Sequence, residues 1–385
     1  MSEDVLIEIT MYKYKDIKQI HLEITEKCQA VCPMCPRNLK GGKDNPHLIN
    51  AELSLEDCKK IFKPAFIKQL DVMFMCGNYG DPMMAKDTLE VYKYFRKHNP
   101  KLWLGMHTNG GARTAKWWAE LAKTIGTGNL DGCVTFSVDG LEDTNHIYRK
   151  NVKWKNVERN MRSYIDAGGQ VRWHFLAFKH NEHQFDEAKA LAKEWGVYEF
   201  LIKKTSRFYG QLGLLDDQEN KKYEFQVYDK KGNPEYIIEP PSEKKYLNRE
   251  AMRAGDIFKK YRWSSMKDFD NKTTIDPKCI SKKEIYVSAR GLILPCCWIG
   301  GTLYRWELGD DYKEEQVWGF INRAGGPDAI NAVKPWNTIE SIIDRGQLFN
   351  YIEKSWDIPT VEQGKVRACA RHCPVGFDKF SEQFT

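Results

Sequence analysis

The chain has 385 residues, 42% of them hydrophobic, and 59 basic against 53 acidic side chains give a net charge of +6. Its apolar runs fall far short of the roughly 20 residues that cross a bilayer, and the opening Met-Ser-Glu-Asp-Val-Leu has no basic or apolar signal region, so a cytoplasmic chain with no membrane partner is expected. The mild charge permits an acidic partner without demanding one, so a nucleic-acid partner is not expected.

In chain order, Gln19 to Thr25 reads as a first strand, with apolar Ile20, Leu22 and Ile24 alternating. Ser54 should cap a short helix ending near Phe62, with Glu56 and Asp57 in its first turn. Further strands are predicted at 72–76, 103–107, 134–138, 171–178 and 200–203. Helices are predicted at 88–97, 115–123, 157–167 and 185–194. Strands and helices in strict alternation argue for an α/β fold, a parallel sheet with right-handed crossovers curled into a partial (β/α)6 barrel. Chemistry in such folds gathers at the C-terminal ends of the strands.

The alternation stops after Ser206. Residues 222–241 read as an inserted hairpin, turning at Lys231-Gly232-Asn233 and stopping at Pro240-Pro241. From Cys279 the chain is punctuated by cysteine. Three units follow from this pattern: 1–206, a barrel; 207–278, hairpin and linker; 279–385, a cysteine-rich extension.

Grouped cysteines in such a chain point to metal or redox chemistry rather than to disulfides. Cys28, Cys32 and Cys35 lie in one short loop directly after the first strand. Three thiolates on one loop can take three corners of a [4Fe–4S] cubane and leave one iron open. Structural zinc is the alternative, but it takes four ligands in paired knuckles. In the tail, Cys279, Cys296, Cys369 and Cys373 are the candidate ligands of a second centre, with Cys297 as rival to Cys296 and zinc again as the alternative. Gly291, five residues before Cys296, favours Cys296. Cys58 and Cys133 read as buried small hydrophobes.

The Cys-x3-Cys-x2-Cys spacing after the first strand of a β/α partial barrel resembles the radical S-adenosylmethionine (SAM) superfamily, over roughly residues 17–206. Later segments support the resemblance in order. Cys76-Gly77-Asn78-Tyr79-Gly80-Asp81-Pro82 stands where the family has a Gly-Gly-Glu segment that holds the SAM amino group, with Asp81 in place of Glu. His107-Thr108-Asn109-Gly110 ends the third strand, and Ser137-Val138-Asp139-Gly140 resembles the ribose and carboxylate segment. Arg149 follows Ser137 by twelve residues, as does an arginine that pairs the SAM carboxylate in related maturases. Met34 stands where the family often has an aromatic near the adenine.

The resemblance implies SAM-binding roles for Gly77, Asn78, Gly80, Asp81, Thr108, Asn109, Ser137, Asp139 and Arg149. It implies a low-potential electron donor of flavodoxin or ferredoxin type, and reductive cleavage of SAM to a 5′-deoxyadenosyl radical. The tail resembles the SPASM/twitch extension, in its shorter form, and implies one auxiliary [4Fe–4S] cluster. Cys76 and Cys297 are candidate hydrogen-atom donors to a substrate radical, as cysteines are in radical epimerases. Three substrate classes stay open: a peptide or protein, a small molecule such as a sugar or aminocyclitol, and RNA or a nucleotide. Eighteen residues precede Gln19, and no leader-peptide-binding unit is expected among them.

Overall fold

The computed structural model describes residues 12–127, 132–209, 223–248, 264–376 and 383–384. Six parallel strands, Gln19–Leu22 (β1), Val72–Met75 (β2), Trp103–Thr108 (β3), Gly132–Ser137 (β4), Val171–Leu176 (β5) and Glu199–Lys203 (β6), pair side by side in chain order. The helices that connect them are Leu55–Ile61 (α1), Pro64–Gln69 (α2), Thr88–His98 (α3), Ala115–Ile125 (α4), Asn145–Tyr148 (α5), Trp154–Asp166 (α6) and Phe185–Trp195 (α7). Ser54 caps α1 in a reciprocal box with Asp57, as its position predicts. Helix α4 buries Trp118, Leu121, Ala122 and Ile125, a stripe at helical spacing that packs on the sheet.

Strand side chains alternate between two environments. Met73, Met75, Leu104, Met106, Val134, Phe136, Trp173 and Phe175 are fully buried under the helices. The rings of Trp118 and Phe136 lie 5.1 Å apart, and those of Trp173 and Trp195 stack at 5.9 Å. The alternate set, Phe74, Cys76, His107, Ser137, His174 and Lys203, is half-buried and faces the barrel lumen. Rings on this face meet, His21 of β1 with Phe74 of the neighbouring β2 at 4.5 Å and His107 of β3 with His174 of β5, across β4, at 6.2 Å.

The antiparallel hairpin Phe225–Tyr228 (β7) and Pro234–Ile238 (β8) forms where expected; Lys222, its predicted start, lies outside the described residues. It docks on the cysteine loop and α5. Tyr228 N–H donates to Lys40 O at 3.0 Å, Tyr236 Oη to Ile147 O at 2.6 Å, and Glu235 pairs with Lys150 at 2.6 Å.

The tail carries Met266–Lys272 (α8), Lys278–Lys282 (α9), strands Glu284–Val287 (β9) and Ile293–Leu294 (β10), and then Cys297–Gly300 (α10), Gln316–Arg323 (α11), Leu348–Lys354 (α12) and Arg367–His372 (α13). Its hairpin turns at Arg290-Gly291, with Gly291 at φ +80°. The sheet is wider than the six strands expected. Strand β9 pairs parallel to β1, in register from Gln19 with Glu284 to Leu22 with Val287, and β10 pairs with β9. All four residues of β9 are buried, and they cover what would otherwise be an open edge of β1. The extension therefore shares the barrel's sheet.

Candidate functional site

The cysteine loop leaves the C-terminal end of β1 and is pinned by its own backbone. Cys35 N–H donates to Cys32 O at 3.0 Å, Asn38 Nδ2 to the same oxygen at 3.0 Å, and Val31 N–H to Lys150 O at 3.0 Å. Cys28 and Cys35 are half-buried and Cys32 is buried, and all three are free thiols. Two donors reach their sulfurs: Asn109 Nδ2 at 3.7 Å from Cys28 Sγ, and Arg149 Nη1 at 3.6 Å from Cys32 Sγ. Burial pushes Cys32 up to about 11, and the Arg149 guanidinium opposes that rise. Donors of this kind favour thiolate, the form that ligates iron. The residues present therefore fit an iron–sulfur cluster held on one side.

The loop after β2 is tight. A Cβ on Gly77 would lie 2.1 Å from Gly80 O, and one on Gly80 would lie 1.8 Å from Thr25 O. The N–H groups of Tyr79 and Gly80 both donate to Glu23 Oε1, at 2.6 and 3.2 Å. Tyr286 Oη of β9 donates to the other oxygen of Glu23. Asn78 points to the tail, giving its Nδ2 to Cys297 O at 2.9 Å and Tyr286 Oη at 3.3 Å.

Asp81 is buried, and its carboxylate is a knot. It accepts from Thr108 Oγ1 at 2.8 Å, Asn109 N at 2.8 Å, Asn109 Nδ2 at 2.7 Å and Met83 N at 3.1 Å. Those bonds fix the Thr108-Asn109 turn and aim Asn109 at Cys28. Asp139 is likewise occupied, by Arg149 Nε at 2.6 Å and Leu176 N at 2.7 Å. Burial raises both carboxyls from their usual range. Arg149 thus keeps its Nη groups for the site. Ser137 is half-buried at the end of β4, in register with His174.

In the tail, Cys279 begins α9, Cys296 precedes α10, and Cys369 and Cys373 flank the end of α13. Burial raises Cys279, and Cys296 and Cys373 raise it further; burial raises Cys369, with Cys296, Cys279 and Cys373 adding to it. Cys296 is pushed up to about 12, by burial first, with Cys373 contributing. Every pair among the four thiols interacts, so segments distant in sequence converge. Burial raises Cys297, with Cys296, Glu284 and then Cys76 adding to it, and its carbonyl accepts from Asn78 Nδ2. Among the described residues, no three His, Cys, Asp or Glu groups gather at a single-ion point.

The sequence alone does not single out Glu23 or His174; it shows His107 only as part of the segment ending the third strand, and Lys203 only in the basic pair Lys203-Lys204. The available signal was a charged or imidazole residue at an inward position of an otherwise apolar strand. Among the described residues, no helix is long and apolar enough to cross a membrane.

The model of the Radical SAM superfamily matches residues 22–192. Among solved structures, Streptococcus suis SuiB bound to precursor peptide SuiA is similar at 15% identity, covering 92% of this chain and 77% of that one with a TM-score of 0.47. Native anSMEcpe with bound AdoMet is similar at 14% identity over 72% and 74%, TM-score 0.43. BtrN in complex with AdoMet and 2-DOIA is similar at 12% identity over 92% of each chain, TM-score 0.38.

Proposed function

We propose, from the match of residues 22–192 to the Radical SAM superfamily, that the chain reductively cleaves S-adenosylmethionine and modifies a peptide or protein. One observation carries the first half: Cys28, Cys32 and Cys35 share one loop at the mouth of the lumen, with Asn109 and Arg149 aimed at two of the sulfurs. With its [4Fe–4S] cluster and SAM bound, the site supplies a 5′-deoxyadenosyl radical able to take hydrogen from an unactivated C–H bond.

The chain's own residues orient and shield. Gly77, Asn78 and Gly80 form the turn that holds the SAM amino group, a turn whose glycines let it pass against Gly80 O and Thr25 O, where no Cβ fits. Arg149, held by Asp139, has guanidinium N–H groups left for the SAM carboxylate. Ser137 faces the ribose, and Asp81 keeps Thr108 and Asn109 in place beside it. Cys279, Cys296, Cys369 and Cys373 hold an auxiliary [4Fe–4S] cluster, and a flavodoxin- or ferredoxin-type protein delivers electrons. Cys76, at the lumen end of β2, and Cys297 are the candidate hydrogen-atom donors. After donation the sulfur radical returns to thiol with one electron from that donor protein and one proton from solvent.

The peptide reading rests on how the lumen receives extended chain. Phe384 bridges Lys203 on the edge strand β6, Lys204 N–H donates to Gln383 O at 2.7 Å, and the Phe384 ring lies 4.9 Å from that of His174. The mouth thus accommodates a backbone with an aromatic side chain on it.

Anaerobic protein reconstituted with iron and sulfide should carry about eight iron and, with dithionite, release 5′-deoxyadenosine. Cys32→Ala should abolish release, Cys296→Ala should lower iron to about four, and Cys297→Ala should leave about eight. Full reconstitution without SAM cleavage would sink the radical reading. About four iron plus one zinc would sink the auxiliary cluster. Deuterium passing from a labelled peptide into 5′-deoxyadenosine tests the substrate class.

A further inference from the structure

The lumen carboxylates are all engaged: Glu23 by Tyr79, Gly80 and Tyr286, Asp81 by Thr108, Asn109 and Met83, and Asp139 by Arg149 and Leu176. Arg207 and Lys203, at this end of the lumen, have no carboxylate partner among the described residues. Arg207 is satisfied by neutral oxygens, Met34 O at 3.0 Å and Tyr148 Oη at 3.1 Å. Lys203, the last residue of β6, has no ion-pair partner among the described residues; its Nζ stands 5.6 Å from the centre of the Phe384 ring.

The charged groups that act on Lys203 place it in the lumen. They are Arg207, Cys76 at the end of β2, Asp139 after β4, and Arg149. In turn Lys203 is the largest electrostatic influence on His107 of β3 and His174 of β5. Both imidazoles stay neutral at ordinary pH, since burial pushes them down to about 4 and about 3. Its register on β6 sets Lys203 beside Leu176 of β5, and the Phe384 ring that its Nζ faces lies 4.9 Å from that of His174, on the lumen side of β5. The half-buried ammonium meets the Phe384 ring and, among the described residues, no carboxylate at ion-pair distance, and a carboxylate would pair it more strongly than a ring does.

We propose that Lys203 is a substrate-anchoring residue whose ammonium receives a carboxylate carried into the barrel lumen. The inference deepens the function proposed above, because it takes the lumen as the place where substrate is held. Two sources of that carboxylate share one chemistry, the substrate and SAM itself, and the test separates them.

The test is reductive methylation of the wild-type, cluster-reconstituted protein, read at Lys203 by peptide mass spectrometry, with Lys123 as surface reference. Burial, with Arg207 adding, lowers Lys203 to about 8, so its free amine is available to the reagent. N-acetylglycine, a minimal peptide-like carboxylate, should slow methylation of Lys203 about threefold where it fills about two-thirds of the sites, with SAM present or absent. Its neutral amide should not slow it, and Lys123 should not respond to either.

Equal rates with the carboxylate and the amide would overturn the proposal. Protection by SAM alone, with nothing added by N-acetylglycine, would also overturn it by assigning the ammonium to SAM. Lys203→Met should retain cluster iron and dithionite-driven SAM cleavage to within about twofold. Loss of cleavage in that variant with iron intact would equally sink a substrate role. The labelling needs no SAM cleavage, so its outcome is distinct from that of the radical reading.

Discussion

At the scale of single residues, the carboxylates of the site act as supports. Glu23 joins three parts of the chain: it ends β1, receives both N–H groups of the Gly80 turn, and takes the Tyr286 hydroxyl from β9. Burial pushes its carboxyl up from the ordinary 4.5 to about 7, although Tyr286, Tyr79 and Gly80 all favour the ionised form. Raised pKa means that the native state keeps a proton which the unfolded chain has released. The associated stability is fully present below about pH 4.5 and is lost as pH rises through about 7. A shift of that size corresponds to about 3 kcal/mol. Glu23→Gln keeps the acceptor for the two N–H groups and cannot ionise. Relative to wild type, it should therefore gain about 3 kcal/mol between about pH 4.5 and pH 8. Urea unfolding of both proteins across that range checks it, and parallel stability profiles would refute the assignment.

At the scale of elements, the site depends on loops whose paths leave no room. The turn after β2 passes so close to the cysteine-bearing strand end that a methyl group on Gly80 would sit 1.8 Å from Thr25 O, a backbone atom that cannot swing aside. Gly80→Ala must push this turn away from β1, breaking the Glu23 bond to Gly80 N and displacing Asp81 with it. We expect it to cost about 3 kcal/mol or more and to weaken SAM binding at least about tenfold. Equilibrium dialysis of SAM with reconstituted protein measures the second effect, and binding within about twofold of wild type would contradict it. The same crowding explains what was legible beforehand. All six barrel strands and the longer helices announced themselves, because alternating apolar residues such as Ile20, Leu22 and Ile24 and the stripe on α4 encode burial directly. The cysteine loop and its partner turns were legible as spacing and order. Helix α2 and the single turn α5 were not, since six and four residues are too short to display a helical period. The inward position of Lys203 was hidden for a different reason: inward and outward positions of a strand differ only by register, and register is a property of the folded sheet.

At the scale of the whole molecule, the barrel and the cysteine-rich extension are one object. The spacing of the cysteines suggested an appended unit, but β9 pairs along the full length of β1, and Tyr286 reaches through to Glu23. A second tie crosses the same seam. Arg290, in the turn between β9 and β10, pairs with Glu26 at 2.6 Å, donates to His47 O at 2.7 Å, and lies 3.9 Å from the centre of the Tyr304 ring. Glu26 is only 2% exposed, and its other oxygen accepts from Ile49 N and Ala51 N, both at 3.1 Å. The pair therefore anchors the segment that follows the cysteine loop to the turn that leads into Cys296. Removing one partner of such a pair leaves the other charge buried without compensation, a loss of about 3–5 kcal/mol. Arg290→Met, which preserves the packing on Tyr304, should lower stability by that amount. Because the seam is continuous sheet, the loss should appear as a single unfolding transition at lower denaturant, with the barrel and the extension reporting together. Hydrogen exchange of peptides around Trp173 in the barrel and Trp318 in the tail would follow the two parts separately, and loss of the iron–sulfur absorption would follow the reconstituted protein's clusters. If the tail signal melted first while the barrel signal held, the extension would be a separate unit and the shared sheet would not couple them.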